Sequence, residues 1–474
     1  MRSIRGQRRD RRWLAAGIGM AVAVTGLTAC SGGGDAGTEG TEGTGTTEGT
    51  EGEAAGGGEA GCTNEIKVPD AEQVTVWAWY PAFEGVVDLF NESHDDIQIC
   101  WSNAGQGNDE YTKFSTTIEA GSGAPDVIML ETEVLPSFII RDALADLSEY
   151  GADEVEENYS PGVWEDHSAN GGVYAIPVDG GPMGMLYRED IFAEAGITAP
   201  PTTWDEFALA AQQLEDSGSE AVMADFPTNG RAFLQALFDQ AGSEPYVFDQ
   251  DNPTDVAINL DDDGTKKVVD YWFDLVDKGL VATDDAFTTD YNTKLVDGSY
   301  AVYLAAAWGP GYLSGLEGAD PDAVWRAAPL PQWDASDPVQ VNWGGSAFAV
   351  TSQAKNPEAA AVVAKEIFGT EEAWKIGIEE GALFPLWLPI LESDYFRDLE
   401  YPFFGGQKIN QDVFMEAAAG YEGFTFSPFQ NFAYDKLTEQ MFAAVQGEKE
   451  PEQAVEDLQQ QVVEYATSQG FTVE

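Results

Sequence analysis

The residues best suited to hold a small molecule lie at positions 343–352, where Trp343, Gly344 and Gly345 precede an apolar run. Paired glycines at the start of a strand let another molecule approach the backbone closely, because no side chain stands in the way. The indole of Trp343 adds a flat apolar face beside those backbone groups. This combination favours a small polar ligand with one apolar face, such as a sugar. The alternative is a glycine turn next to a tryptophan of the core.

A sugar site needs aromatic rings for the apolar C–H faces and polar groups for the hydroxyls. A hydroxyl that loses water without gaining a partner costs about 1–3 kcal/mol, so these polar groups are essential. The candidate rings are Trp79, Trp308, Trp343 and Trp387. The candidate polar groups are Gln106, Asn108, Glu131, Asp179, Asn229 and Arg231. Most of the 13 tryptophans must serve the core, and Trp387 fits a core position equally well.

No arrangement in the sequence predicts catalysis or metal binding. With 83 acidic residues, carboxylate pairs occur everywhere, and none stands out as the pair of a glycosidase. The two histidines, His94 and His167, have no partner at metal-ligand spacing. The acidic stretches 249–252 and 261–264 lack the spaced ligands and closing glutamate of a calcium loop. We therefore predict no enzymatic activity, no catalytic residue, no metal and no cofactor.

The charge of the chain restricts its partners. A formal net charge of −60 over 474 residues argues against nucleic acid, whose phosphates need Lys and Arg. It also disfavours direct adsorption of the folded part on anionic lipid. The composition instead indicates a solvated acidic surface, suited to high salt, where self-repulsion is screened.

The first thirty residues are typical of an export signal. A segment with six arginines precedes a short apolar segment, residues 13–27, too short for a comfortable membrane span. Leu27-Thr28-Ala29-Cys30 then resembles a bacterial lipobox, in which the cysteine is lipidated and becomes the new N-terminus. We predict a signal peptide at residues 1–29, a lipid anchor on Cys30 and a location on the extracellular face of the cell membrane. Residues 30–61, rich in Gly, Thr and Glu, are predicted to be a disordered linker.

Two cysteines remain once Cys30 is assigned to the lipid. An oxidising exterior favours a disulfide between Cys62 and Cys100. Such a bridge would tie the segment that enters the folded part to its second predicted strand. Two separate thiols are the alternative.

Strand and helix signals alternate along the chain and predict an α/β fold. Residues 74–80, 97–101 and 124–130 have the pattern of strands, with helical patterns between them. Strands joined in this way pair in parallel through right-handed crossovers, and ligands bind beyond their carboxyl ends. Those ends carry Trp79, Tyr80, residues 103–108 and residues 131–133.

Helix and strand patterns also occur together in the rest of the chain. Thr203 or Thr202 is predicted to cap a helix, and Asn356-Pro357-Glu358 to start another. Further helices are expected near residues 231–241, 265–279, 357–368 and 451–468, with strands at 183–187 and 298–304.

The order of several short motifs identifies a family. Each motif is weak alone, but together they cover residues 70–474: Ala124-Pro125-Asp126-Val127, Tyr174-Ala175-Ile176-Pro177, Tyr187-Arg188-Glu189-Asp190, residues 201–207, residues 298–301 before Trp308, Trp343-Gly344-Gly345 and Asn356-Pro357-Glu358. With the lipobox, this set resembles the extracellular solute-binding proteins of ABC importers, in the sugar-binding family that includes maltose-binding protein.

The resemblance implies a two-lobed periplasmic-binding-protein fold of type II. Each lobe would be a mainly parallel sheet flanked by helices, and the two would close on a ligand about hinge crossings. Lobe 1 would comprise residues 64–177 and 327–369, and lobe 2 residues 182–326 and 370–474. The hinges would fall near residues 178–181, 326–330 and 368–371.

The resemblance also implies which residues face the cleft. Carried over by position, these are Trp79, Tyr80, Gln106, Glu131, Asp179, Trp308, Trp343, Gly344 and Gly345, with Trp387 on a later loop. Trp308 matches best, because a tryptophan after the strand at 298–304 stacks on sugar in many relatives. The early cleft loop lacks the lysine often seen in maltose binders, which puts maltose itself in doubt.

The expected function is therefore capture of a mono- or oligosaccharide by an anchored, monomeric receptor that delivers it to a membrane permease. A binding protein for another solute, such as a polyamine, is the nearest rival, because cations suit this acidity. An extracellular glycoside hydrolase and a tethered surface adhesin are the rivals from other classes.

Overall fold

The strands of the chain form one main sheet and two small ones. The structure, a computed structural model, describes residues 61–248, 254–318 and 322–473. The predicted signal peptide, Cys30 and the linker up to residue 60 lie outside the described residues. The described strands are β1 Glu72–Trp77, β2 Ile97–Ser102, β3 Val127–Glu131, β4 Ser168–Ala169, β5 Gly172–Val173, β6 Ile176–Arg188, β7 Tyr246–Phe248, β8 Asp255–Ile258, β9 Val302–Ala306, β10 Trp325–Pro329, β11 Asn342–Val350 and β12 Thr472–Val473.

Helices surround these strands. The described α-helices are α1 Phe83–Ser93, α2 Asn108–Ala120, α3 Leu135–Ile139, α4 Pro161–Asp166, α5 Glu189–Glu194, α6 Trp204–Asp216, α7 Arg231–Gln240, α8 Asp263–Asp277, α9 Thr289–Asp297, α10 Gly309–Gly315, α11 Pro357–Glu366, α12 Glu371–Glu379, α13 Leu388–Leu391, α14 Asp394–Arg397, α15 Met415–Ala419, α16 Gln430–Val445 and α17 Pro451–Ser468. Side chains cap the N-termini of α6 and α11. The Thr203 side chain accepts a hydrogen bond from the Glu206 amide at 3.2 Å, and Asn356 accepts one from Ala359 at 3.2 Å.

The first three strands pair in parallel, as the alternation of strands and helices predicts. β1 lies between β2 and β3, so that Val76 faces Trp101 on one side and Val127 on the other. β11 then adds to β3 in the antiparallel direction, with Phe348 opposite Met129. Glu131, at the end of β3, therefore lies opposite Ser346 in the middle of β11.

Strand β6 is thirteen residues long and is shared by two parts of the sheet. Its first half pairs with β11, where Ser346 lies opposite Asp179. Its second half lies between β9 and β10, with Met185 opposite Leu304 on one side and Ala328 on the other. The main sheet thus runs in the order β10-β6-β11-β3-β1-β2, with β9 also on β6. One continuous strand consequently joins the two halves of the folded part.

The core is filled largely by aromatic side chains. Trp204, Trp272, Trp325 and Trp374 are fully buried, which accounts for part of the high tryptophan content. Cys62 and Cys100 form a disulfide that ties the start of the folded part to β2. Within the described ranges, no helix is long and apolar enough to cross a membrane.

Candidate functional site

Two backbones approach each other unusually closely where β6 meets β11. A Cβ atom at Gly181 would lie 2.0 Å from the carbonyl oxygen of Trp343, so only glycine fits there. Gly344 and Gly345 have φ of 74° and 116°, in the left-handed region that favours glycine. A Cβ at Gly344 would lie 3.9 Å from both Glu131 Oε1 and Trp308 Nε1. The glycine pair therefore lies between a carboxyl group and an indole.

A cavity opens beside these glycines, and we call it the central cavity. It has about 30 Å³ of open space at its centre, and about 560 Å³ when the surrounding crevices and the mouth are included. Its lining comes from β6, β11, the turn Thr132–Val134, α4, α7, α16 and two loops: Thr132, Glu133, Val163, Asp166, His167, Asp179, Gly180, Ala232, Gln235, Ala236, Asp239, Asn342, Gly344, Gly345, Leu386, Tyr421, Phe424, Phe426 and Tyr434.

Asp179 forms a buried hydrogen-bonded chain on one wall of the cavity. The Ser346 hydroxyl donates to the Asp179 carboxylate, and the Tyr80 hydroxyl donates to Ser346 Oγ at 2.5 Å. Burial raises the pKa of Asp179 to about 7, against the bond from Ser346, which acts to lower it. The side chain thus lies at a balance between the neutral and charged forms near physiological pH.

Two glutamates lie at the end of β3, with Glu133 in the cavity wall and Glu131 as the last residue of the strand. Glu131 accepts a hydrogen bond from the Tyr111 hydroxyl at 2.6 Å, and burial raises its pKa. Glu133 is buried in the cavity wall, where loss of water and then the Glu131 charge raise its pKa to about 8. Arg231, at the start of α7, acts on both carboxyls in the opposite direction. Its guanidinium is 3.0 Å from the Asp435 carboxylate, so its charge is shared.

Two more carboxyls and a histidine also belong to the polar lining. Burial raises the pKa of Asp166 to about 7 and holds that of Asp239 well above its usual range. His167 donates from Nδ1 to the Val163 carbonyl at 2.7 Å, and its Nε2 accepts from the Thr132 hydroxyl at 3.1 Å. Burial lowers the pKa of His167 to about 4, so this imidazole is neutral at pH 7.

An aromatic cluster lies beside the glycine pair. The rings of Trp308 and Trp343 meet edge to face at 4.8 Å, and Trp308 Nε1 donates to the Trp343 carbonyl at 3.2 Å. Phe233 packs on Trp343 at 5.3 Å and holds that ring in the interior. Phe287 contacts both tryptophans, is 48% exposed and has a φ of 65°, which is rare for a bulky residue.

The structure gathers some of the predicted residues and separates others. Asp179, Gly344 and Gly345 line the central cavity, and Glu131, Tyr80, Trp308 and Trp343 adjoin these residues. Trp343 is buried, so its ring serves more to support Trp308 than to present an open face.

Three of the residues predicted to face the cleft neither line the cavity nor adjoin the three predicted residues that do. Gln106 is exposed on the loop before α2, Trp79 packs edge to face on Tyr111 at 5.9 Å, and Trp387 is half-buried at the start of α13. Trp387 follows Leu386, which does contribute to the wall. For these three, a ligand contact remains a prediction.

Several lining residues carry no signal in the sequence. Asp166 and Asp239 come from two separate helices, and one acid among 83 does not stand out, whereas Glu133 falls in the stretch 131–133 expected at the carboxyl end of a strand. The aromatic residues Tyr421, Phe424 and Phe426 come from the loop before α16. The described residues include no group of three or more His, Cys, Asp or Glu arranged to hold a metal.

An α/β fold with a polar, partly aromatic cavity where its two halves meet defines a binding protein for a small molecule. The sequence matches the family of bacterial extracellular solute-binding proteins over residues 77–374. The chain belongs to this family.

Relatives of known structure extend the match to most of the chain. An ABC-transporter-associated binding protein from B. animalis subsp. lactis, solved with β-1,6-galactobiose, is 30% identical, with a TM-score of 0.76, and the match covers 85% of this chain and 100% of that one. The galacto-N-biose/lacto-N-biose I-binding protein of Bifidobacterium longum is 23% identical, with a TM-score of 0.75, over 85% and 99% of the two chains. These matches confirm the predicted two-lobed α/β fold.

Curated relatives are more distant in sequence. The arabinooligosaccharide-binding protein of Halalkalibacterium halodurans is 24% identical over 287 residues, which span 59% of this chain and 62% of the relative. The lactose-binding protein of Rhizobium radiobacter is 23% identical over 366 residues, or 72% and 81% of the two chains.

Proposed function

We propose that this protein captures a mono- or oligosaccharide in the central cavity and delivers it to the membrane permease of an ABC importer. The main support for this proposal is that the cavity walls come from both predicted lobes. Glu133, Asp166 and Gly344 belong to the lobe 1 segments, and Asp239 and Tyr434 to the lobe 2 segments. The relatives in these comparisons are named for, or solved with, galactobiose, arabinooligosaccharides and lactose.

We place lobe 1 at residues 64–177 and 327–369, and lobe 2 at residues 182–326 and 370–474. The first hinge, near residues 178–181, falls in the first half of β6, and the second, near residues 326–330, includes most of β10. A ligand that touches both lobes stabilises the closed arrangement, because only there are all contacts made.

The size of the cavity supports a lobe movement. Its central space of about 30 Å³ is far below the roughly 300–1,000 Å³ of typical ligand pockets. A saccharide therefore enters only when the walls move apart. Separation of the two halves about β6 is the simplest such movement.

The remaining features of the proposal come from the sequence. We propose that a lipid on Cys30 anchors the protein at the extracellular face of the cell membrane, and that the folded part acts as a monomer without enzymatic activity. Mass spectrometry of the protein from membranes would detect the lipid, and loss of membrane association in Cys30→Ala would support the anchor.

The binding proposal is tested by titration calorimetry with a panel of saccharides, including lactose and β-1,6-galactobiose. Trp308→Ala should weaken the tightest sugar at least ten-fold, because the half-buried indole lies beside the glycine pair at the cavity. Its melting temperature should stay within a few degrees of the parent. Phe442→Ala, which removes a 48% exposed ring away from the cavity, should leave the affinity unchanged.

The rival functions predict different results from the same protein. Binding of spermidine with no response to any saccharide would establish a polyamine receptor. Release of monosaccharide at enzyme-like rates would establish a hydrolase. Sugar affinity that is equal in Trp308→Ala and the parent would remove Trp308 from the site.

A further inference from the structure

The walls of the central cavity are rich in carboxyl groups. Four carboxyl groups line it, Glu133, Asp166, Asp179 and Asp239, and no lysine or arginine does. The nearest cation, Arg231, lies outside the lining and is paired with Asp435. An uncharged saccharide offers these walls only weakly acidic hydroxyls.

Three side-chain donors near the carboxyls, those of Gln235, Ser346 and His167, are already engaged. The Gln235 amide donates to Asp239 at 2.7 Å, and the Ser346 hydroxyl donates to Asp179. His167 donates its single N–H to the Val163 carbonyl, and its other ring nitrogen accepts a hydrogen bond from the Thr132 hydroxyl. These donors are therefore not free to meet a ligand.

Two further polar atoms face the cavity without a partner. The Tyr434 hydroxyl belongs to a side chain that is 1% exposed, and the described residues provide it with no hydrogen-bond partner. No hydrogen bond of normal geometry joins it to Glu133, although the Tyr434 hydroxyl lies close enough to act to lower the pKa of that carboxyl. Asn342 Oδ1, on the opposite wall, is also unpaired among the described residues and can only accept. Such buried polar atoms are costly unless a ligand satisfies them.

A protonated amine fits this arrangement. An ammonium group has three donors and no acceptor, so it complements carboxylates, an amide oxygen and a phenolic oxygen together. The central space of about 30 Å³ is of the order of one small polar group. The rings of Tyr421, Phe424 and Phe426 on the same walls can add cation–π attraction.

We propose that the preferred ligand is an amino sugar, whose ammonium group lies among Glu133, Asp166, Asp179 and Asp239 while Trp308 contacts its ring. The inference rests on the proposed function, saccharide capture, and specifies its substrate class. The same ammonium chemistry occurs in polyamines. The aromatic cluster of Trp308 and Phe287 beside the cavity favours the sugar, because a pyranose has apolar faces to stack.

Burial raises the pKa values of these four carboxyls, so the number of protons released on binding is a second quantity to measure. A bound cation favours their charged forms, so binding should release protons to the solvent. A neutral sugar should release few or none.

The test compares matched pairs by titration calorimetry at pH 6.5: glucose with glucosamine, galactose with galactosamine, and cellobiose with its diamino counterpart. We expect the amino member of at least one pair to bind ten-fold or more tightly than its neutral counterpart. Asp239→Asn and Glu133→Gln should each reduce this ratio at least five-fold. Glu456→Gln, which alters an exposed acid outside the lining, should leave the ratio within two-fold.

Titrations in two buffers of different ionisation enthalpy count the protons released by the parent protein, so the test stands even if a variant fails to fold. Neutral members that bind as tightly as the amino members, without proton release, would overturn the inference and leave saccharide capture intact. Spermidine binding without any saccharide binding would overturn both proposals. A preference for amino sugars that both variants retain would contradict the assigned carboxyls.

Discussion

Buried carboxyl groups dominate the site at the scale of single residues. Glu133, Asp166 and Asp179 come from different elements, and burial raises the pKa of each to about 7 or 8. Carboxyls that only stabilise a fold are usually paired or solvated, because an unpaired buried charge is costly. Groups with perturbed pKa values are concentrated at functional sites, and these three line one cavity.

Glu133→Gln should change the pH dependence of stability. The pKa of Glu133 rises from 4.5 to about 8 on folding, so between these values the folded state holds a proton that the unfolded state releases. The stabilisation that comes from the protonated Glu133 side chain is fully present below pH 4.5. It is lost as the pH rises towards 8, and the free energy of unfolding then falls by at most about 1.4 kcal/mol per pH unit. The variant should therefore gain stability relative to the parent from pH 5 to pH 8, measured by urea unfolding.

A control separates this effect from the general charge of the protein. Glu156→Gln removes an exposed acid and should follow the parent at every pH. His167, whose pKa is lowered to about 4, destabilises both proteins equally as the pH falls from 6.5, so it cancels in the difference. Parallel curves for Glu133→Gln and the parent would contradict a protonated Glu133.

Sequence patterns predicted only those site residues that carry a local signal. Gly344 and Gly345 stood out as a pair beside an indole, and Asp179 as an acid between glycine and proline. Asp166 and Asp239 did not, because they join the cavity through helix packing across long stretches of chain. The buried position of Trp343 also depends on a distant contact, the ring of Phe233.

At the scale of elements, strand β6 connects the two halves of the molecule. The sequence predicted a crossing near residues 178–181 followed by a strand at 183–187, whereas the structure has a single strand from Ile176 to Arg188. The glycines and the proline within it do not interrupt the strand. β11 approaches so closely there that a Cβ at Gly181 would clash, so glycine is the residue that allows the two strands to pair. The parallel order of β1, β2 and β3 was predictable, since it follows from alternating strands and helices.

Gly181→Ala should disrupt the contact between β6 and β11. The new Cβ would lie 2.0 Å from a backbone oxygen of Trp343, which cannot move without displacing β11. We expect a loss of at least about 3 kcal/mol in the free energy of unfolding, measured by urea titration. Gly315→Ala is the matched control, because it lies at the end of α10 with nothing within 4 Å of the added methyl group. A Gly181→Ala protein as stable as this control would show that the two strands are not held in contact.

At the scale of the whole molecule, charge and shape act together. The main sheet passes through both halves, so the proposed lobe movement would bend β6, the strand that is continuous between them. Carboxyls from both halves meet in the closed cavity and resist closure when charged. Anything that neutralises or screens them should favour the closed arrangement.

Salt should therefore stabilise the folded protein. A net charge of −60 repels itself, and the Debye length falls from about 10 Å at 0.1 M salt to about 3 Å at 1 M. We expect the melting temperature to rise by several degrees over this range in NaCl, and KCl to act equally. Replacing the exposed acids Glu156, Glu157, Glu452 and Glu456 by glutamine should flatten the rise, because it removes part of the repulsion that salt screens. A melting temperature independent of salt would show instead that the surface charges are too well solvated to oppose folding.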